Sequence, residues 1–194
     1  MSHVKDSSDS RIVFLARHGQ TALNVEGRLR GLANPPLDEI GRAEAERLGA
    51  ELAERDPSVV VSSPLDRAVQ TARIVALAAG VPHLIDERFN DRDYGLWTGH
   101  LKADVVEKWG SVDDAPGVES VSSVLARSLP ALDQILHEHV GHSIVVVTHD
   151  AVIRPLVEAI DSAVTDMRVP TGSWNELMRA NGRWAVVSID NVTS

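Results

Sequence analysis

Apolar residues in this chain follow two alternating patterns. Unbroken runs such as Ile12-Val13-Phe14-Leu15-Ala16 and Ile144-Val145-Val146-Val147 have the length and β-branched content of strands buried on both faces. They predict strands over 11–16 and 143–148. Val59-Val60-Val61 is a shorter run of the same kind, and 83–85 is a candidate third strand. Between these runs the spacing turns helical. Leu37, Ile40, Leu48 and Leu52 mark one face of a helix over 37–55. Val121, Val124, Leu125, Ser128, Leu132, Ile135 and Leu136 predict a long amphipathic helix over 120–139, which Pro130 should bend or break. Ser63-Pro64-Leu65-Asp66 reads as a helix start, with Ser63 as the N-cap, Pro64 in the first helical position and Asp66 completing a capping box. That helix should run to about Ala79 and stop at Gly80. A further helix is expected over 151–160. Two closing strands, 175–178 and 184–189, flank the hairpin signal Asn181-Gly182. The alternation predicts an α/β fold: a three-layer α/β/α arrangement whose sheet is mostly parallel, with one antiparallel strand at an edge.

Composition narrows the class. A chain of 194 residues with 43% hydrophobic and 24% charged residues fits one globular domain, expected over 11–194. Residues 1–10 are polar and rich in Ser and Asp, and read as a flexible tail rather than a signal peptide. No apolar run approaches the roughly 20 residues of a membrane span, so a cytoplasmic protein with no membrane partner is expected. The chain has no cysteine, which excludes disulfides, thiolate metal sites and cysteine nucleophiles. A formal net charge of −9 argues against nucleic acid as a partner. The oligomeric state is left open, a homodimer included. The stretch 91–117, rich in Gly, Trp and charge, reads as an excursion over a site.

The chemistry gathers where strands end. A parallel sheet presents the C-terminal ends of its strands on one side, where α/β proteins bind ligands. Here those ends carry Arg17-His18-Gly19, Ser62-Ser63-Pro64 with Arg67 just beyond, 91–95, and Thr148-His149-Asp150. Arginine offers a planar fork that matches phosphate oxygens. Neutral imidazole is a nucleophile at physiological pH, and a carboxylic acid can protonate a leaving alkoxide. Together these groups equip a cleft for phosphoryl transfer. His137, His139 and His142 cluster at a helix end and are expected to be solvated, so no metal site is expected.

Four segments carry a resemblance to a known family. Arg17-His18-Gly19-Gln20-Thr21-Ala22-Leu23-Asn24, Ser63-Pro64-Leu65-Asp66-Arg67-Ala68, Asp93-Tyr94-Gly95-Leu96-Trp97-Thr98-Gly99 and Val147-Thr148-His149 resemble the histidine phosphatase superfamily, in its phosphoglycerate-mutase-like branch. They stand in the family's order and spacing. The resemblance implies that His18 attacks phosphorus and becomes a phosphohistidine. It implies that Arg17, Arg67 and His149 hold the equatorial oxygens, and that Asn24 adds a hydrogen bond. Gly19 would let the backbone pass close to the phosphate, and the helix that follows would favour the anion through its N-terminus. No cofactor and no metal are implied. The family's acid is usually a glutamate; its place is taken here by Asp91, one methylene shorter. Asp150, directly after His149, is the alternative acid.

The expected function is a phosphatase acting on a small phosphorylated metabolite. Mutases of the family carry additional basic residues in the segment corresponding to 100–119, where this chain has only Lys102 and Lys108. Mutase-type transfer, or a catalytically weak relative that binds phosphorylated ligands or partners, is the alternative. Arg30 stands where relatives commonly have glutamine, and would place positive charge at the substrate rim.

Overall fold

The computed structural model describes residues 10–139 and 141–192, so the tail expected over 1–10 lies almost wholly outside the described residues. The elements run β1 (Arg11–Arg17), α1 (Ala22–Val25), α2 (Glu39–Ala53), β2 (Val60–Ser62), α3 (Asp66–Ala79), β3 (His83–Ile85), α4 (Lys102–Trp109), α5 (Val121–Glu138), β4 (Ser143–Thr148), α6 (Asp150–Ile160), β5 (Trp174–Ala180) and β6 (Arg183–Asn191), with short 3-10 turns at Glu87–Phe89 and Gly95–Trp97. The sheet order is β3-β2-β4-β1-β5-β6. β1 to β4 are mutually parallel, β5 runs antiparallel to β1, and the hairpin partner β6 closes that side of the sheet.

The unbroken apolar runs follow from burial on both faces of this sheet. Successive side chains of a strand point to opposite faces. Val13, Leu15, Ile144 and Val146 pack with the α5 and α6 residues Leu132, Ile135, Ile153 and Leu156. Their sequence neighbours Phe14, Ala16, Val145 and Val147 pack on the other face with Leu48 and Leu52 of α2 and Ala68, Ala72 and Val75 of α3. The result is the three-layer α/β arrangement that the alternation implied.

Three local expectations are corrected. The helix expected over 37–55 starts at Glu39, because Asp38 caps it, its carboxylate accepting the Gly41 N–H at 2.8 Å. Ile40 is exposed, since the buried face of α2 runs through Gly41, Ala45, Leu48, Gly49 and Leu52, small residues alternating with two core leucines. α3 starts at Asp66, with Leu65 in the capping position and no side-chain cap. Ser63 and Pro64 lie before it, and the Ser63 hydroxyl is used elsewhere. α5 runs unbroken through Pro130, which sits on its exposed side. One lost backbone bond is outweighed there by the burial of Val124, Ala131, Leu132, Ile135 and Leu136.

The small stripe of α2 has a structural purpose. A Cβ at Gly19 would lie 2.2 Å from the carbonyl oxygen of Gly41, and a Cβ at Gly41 would lie 2.1 Å from that of Gln20. The loop after β1 is therefore seated directly on the α2 backbone. This contact requires glycine at position 19 whatever passes beside the loop on its other side. In an ordinary exposed helix Gly→Ala stabilises by about 1 kcal/mol. Gly41→Ala is expected to do the opposite, costing about 1–3 kcal/mol and displacing the loop that carries His18. Thermal unfolding and specific activity should fall together; a raised melting temperature with unchanged activity would refute the close packing.

The excursion builds the far wall of the cleft. Leu29, Tyr94, Val105 and Ala115 form a small separate core. Leu29 N–H donates to His100 O at 2.9 Å and Lys102 N–H to Gly27 O at 3.0 Å, which ties the segment after α1 to the start of α4.

Candidate active site

The register of the two central strands places the two histidines. Arg17 pairs with Thr148, and the backbone N–H of His18 donates to Thr148 O at 3.1 Å. Each strand thus ends one residue before a histidine, and the rings lie with centroids 5.1 Å apart. Both side chains are fully buried.

The rings are anchored by opposite ends. His18 Nδ1–H donates to the Gly19 carbonyl at 2.7 Å, which leaves Nε2 buried, unpartnered and unprotonated. His149 meets the Ser63 hydroxyl through Nε2 at 2.7 Å, and its Nδ1 is buried without a hydrogen-bond partner. Burial, followed by the charge of Arg67, pushes both imidazoles well below the usual histidine range. Both are therefore neutral at physiological pH, the state a nitrogen nucleophile needs.

Two arginines surround them. Arg67, in the first turn of α3, is fully buried; its guanidinium donates to Ala33 O (2.7 Å), Gly31 O (2.9 Å) and Asp91 Oδ2 (2.9 Å), leaving Nε unpartnered. A cation near a helix N-terminus is disfavoured by the helix dipole; the Asp91 carboxylate and the loop carbonyls offset that here. Arg17 donates to Val169 O at 2.5 Å. Burial pulls its guanidinium down to about 10, which still leaves it charged at neutral pH. The Val169 carbonyl comes from a strained turn: Val169 has φ 46°, rare for a β-branched residue. The Asp190 carboxylate holds that turn by accepting the N–H groups of Arg168 (2.7 Å) and Val169 (2.8 Å).

Of the carboxylates considered, Asp91 is the one in the histidine cluster. It is 2% exposed, and Oδ2 lies 3.7 Å from His149 Nδ1 as well as 2.9 Å from Arg67. Burial raises the pKa of its carboxyl above the usual carboxylate range, against the opposing pull of Arg67 and Arg30. An approaching phosphate dianion adds negative charge and favours the protonated acid further. Asp150 is instead ion-paired with Arg154 at 2.7 Å, one turn along α6. Asp93 is exposed and caps the Gly95 N–H at 2.8 Å.

Several residues that the sequence did not single out hold this geometry. Arg127 of α5 donates to the carbonyls of Arg88 (2.8 Å), Asn90 (2.8 Å) and Asp91 (3.2 Å) while pairing with Glu119. It straps the backbone that presents Asp91. Thr71 accepts the Gly19 N–H at 3.1 Å and donates to Arg67 O at 2.8 Å, which links the loop of His18 to the turn that carries Arg67. An arginine or threonine on an amphipathic helix carries no local mark of such a task.

A cleft of about 560 Å³ adjoins this cluster at Arg17 and Asp150 and is lined further by Asn24, Arg30, Tyr94 and Lys102 among others, while His18, Arg67, Asp91 and His149 stay buried behind it. Asn24 Oδ1 accepts the N–H (3.0 Å) and hydroxyl (2.8 Å) of Thr21, so the amide nitrogen is the end left to donate. The helix expected to favour the anion there, α1, is a single turn of four residues and contributes little dipole. Arg28 is paired with Glu26, Arg92 with Asp113 and Arg154 with Asp150. Arg30 and Lys102 enter no ion pair with a described residue. Arg30 is half-buried, and its charge acts on Arg17, His18, Arg67, Asp91 and His149. Trp174 packs edge-on against Phe14 beneath Arg55, in the sheet rather than the cleft. Trp97 donates to Pro116 O at 3.0 Å and packs against Trp109.

Two neutral histidines, two buried arginines and a buried carboxyl gather where the parallel strands end, a grouping suited to phosphoryl transfer. A profile of the histidine phosphatase superfamily, branch 1, matches residues 13–192, and the chain belongs to that family. It is a phosphomonoesterase that works through a phosphohistidine. It is 32% identical over 206 residues to a metal-independent phosphoserine phosphatase of Arabidopsis thaliana, covering 98% of this chain and 85% of the relative. It is likewise 32% identical over 158 residues to phosphoserine phosphatase 1 of Hydrogenobacter thermophilus, covering 76% and 75%. A mycobacterial glucosyl-3-phosphoglycerate phosphatase shares the fold with a TM-score of 0.79 and 27% identity, covering 93% of this chain and 99% of that one. No helix among the described residues is long and apolar enough to cross a membrane.

Proposed function

We propose that His18 is the nucleophile, Asp91 the general acid and base, and Arg17, Arg67, His149 and Asn24 the phosphate clamp of a phosphatase for a small phosphomonoester with a second anionic group. The observation that carries the reading is the buried, unpartnered Nε2 of His18, on a ring 5.1 Å from that of His149 and within the field of Arg67 and Arg17. In the first step the Nε2 lone pair forms the N–P bond as the P–O ester bond breaks, and the leaving alkoxide takes the proton of Asp91. In the second, water attacks the phosphohistidine, Asp91 takes a water proton, and the N–P bond breaks to release phosphate. The guanidinium groups and the His149 N–H stabilise charge spread over the equatorial oxygens.

The charges of the cleft favour hydrolysis over mutase-type transfer. Lys108 lies against the rings of Trp97 and Trp109 and does not line the cleft, so Lys102 is the one cation α4 contributes to it. Holding a second phosphate for internal transfer needs more cation than that. A single second anion on the substrate is matched by Arg30 with Lys102. Turnover across a panel of phosphomonoesters, beside a 3-phosphoglycerate mutase assay, tests the reading. Phosphate release without isomerisation is expected. Arg30→Gln should raise KM about tenfold to hundredfold for substrates with a second anionic group, the worth of a charge-assisted hydrogen bond, and leave neutral-tailed esters nearly unchanged. Equal effects on both classes would remove Arg30 from substrate selection.

A further inference from the structure

The sequence places Ser63 where a helix cap belongs, yet α3 begins three residues later and the hydroxyl points at a histidine instead. Its only other side-chain contact among the described residues is the long Leu65 N–H at 3.4 Å, which it accepts. With that donor behind it, the hydroxyl hydrogen of Ser63 is free to point along the 2.7 Å contact to His149 Nε2. The proton of the neutral ring then sits on Nδ1, which is buried, without a hydrogen-bond partner, and 3.7 Å from Asp91 Oδ2.

We propose that Ser63 is a positioning residue that fixes neutral His149 as the Nδ1–H tautomer, aiming its single N–H donor into the phosphoryl site. The inference rests on the reading above that His149 holds a phosphoryl oxygen.

Two arguments favour this tautomer over its alternative. If Nε2 carried the proton and donated to Ser63, the Nδ1 lone pair would face the Asp91 carboxylate, and an incoming phosphate would meet a second lone pair beside that of His18. With the proton on Nδ1, the ring offers the carboxylate an N–H in the free enzyme and offers a phosphoryl oxygen the same N–H once substrate arrives. His18 then shows the complementary economy. It is also an Nδ1–H tautomer, because its Nδ1–H is tied to the Gly19 carbonyl at 2.7 Å. One tautomer thus does two tasks: His18, anchored at Nδ1, presents a lone pair, and His149, anchored at Nε2, presents a proton. A neutral donor also suits a site already crowded with Arg17 and Arg67, where a third full cation would be expelled.

The test is nitrogen-15 NMR on the full-length protein labelled at histidine, with the His149 signals assigned by their loss in His149→Gln. The wild type should show a protonated Nδ1 and a bare Nε2, and inorganic phosphate should shift the Nδ1–H signal. In Ser63→Ala the ring should populate both tautomers, and kcat should fall about tenfold to hundredfold, the usual loss when the partner that orients an active-site imidazole is removed. Ser63→Thr, which keeps the hydroxyl, should restore the single tautomer and most of the rate. Should Ser63→Ala fail to fold, the wild-type tautomer and Ser63→Thr still decide the question. A wild-type ring protonated at Nε2, or a Ser63→Ala enzyme with one Nδ1–H tautomer and full kcat, overturns the proposal. If instead His149→Gln itself leaves kcat and phosphate binding intact, the reading of His149 as a clamp fails, whatever its tautomer.

Discussion

His18→Ala is expected to remove phosphoenzyme formation altogether and to lower turnover by at least about 10⁴-fold, the scale on which losing a covalent nucleophile acts. Nothing else in the cleft can take over. The next nearest imidazole, His149, is held through Nε2 by Ser63, and in the tautomer proposed above its other nitrogen carries the ring proton and has no lone pair to offer. Arg17 and Arg67 are cations without a lone pair. The clamp is untouched by the substitution, so inorganic phosphate should still bind to His18→Ala within about tenfold of wild type, because the binding donors remain. The measurement is acid-quenched transfer of labelled phosphate from substrate to protein, with phosphate affinity followed separately. Label that survives on His18→Ala would place the nucleophile elsewhere.

Asp91→Asn should divide substrates by leaving group. General acid catalysis supplies about 10²–10⁴ in rate where the leaving alkoxide needs a proton, so alkyl phosphates should lose turnover on that scale. An activated aryl phosphate, whose leaving group departs as the anion, should stay within about tenfold of wild type in phosphoenzyme formation. The amide keeps one oxygen, which can accept from Arg67 or from the Arg92 N–H but not from both, so one of the two local hydrogen bonds is lost. A pH dependence accompanies this. Burial raises the Asp91 carboxyl, so its protonated, donating form persists to higher pH than an exposed carboxyl would. Alkyl phosphate turnover in the wild type should decline as pH rises through that raised value, and Asp91→Asn should lack that decline. If Asp150→Asn gives the leaving-group pattern and Asp91→Asn does not, the acid is Asp150, despite its pairing with Arg154.

Strand ends were the readable part of this molecule. An apolar run buried on both faces can be recognised in sequence because burial suppresses the polar alternation of a surface strand, and Arg17, His18 and His149 follow such runs directly. The helix starts were less legible, for a physical reason. Ser63-Pro64-Leu65-Asp66 satisfies the chemistry of a cap, but a serine hydroxyl serves an imidazole as well as a backbone N–H, and only the approach of β4 beside β2 decides which it meets. Ile40 has the spacing of a core residue, yet α2 had to turn its glycines inward to admit the loop of His18. Arg127 and Thr71 act through backbone carbonyls and amides of distant segments. That kind of contact leaves no trace in spacing or residue type, so a single sequence is silent about it.

The turn at Val169 ties the edge hairpin of the sheet to the loop of His18. Its carbonyl holds Arg17, the residue before the nucleophile, and its strained backbone is kept in place by Asp190 near the end of β6. Arg17 closes β1 and Asp190 lies in β6, so a change in the edge hairpin is carried through one turn to the guanidinium beside His18.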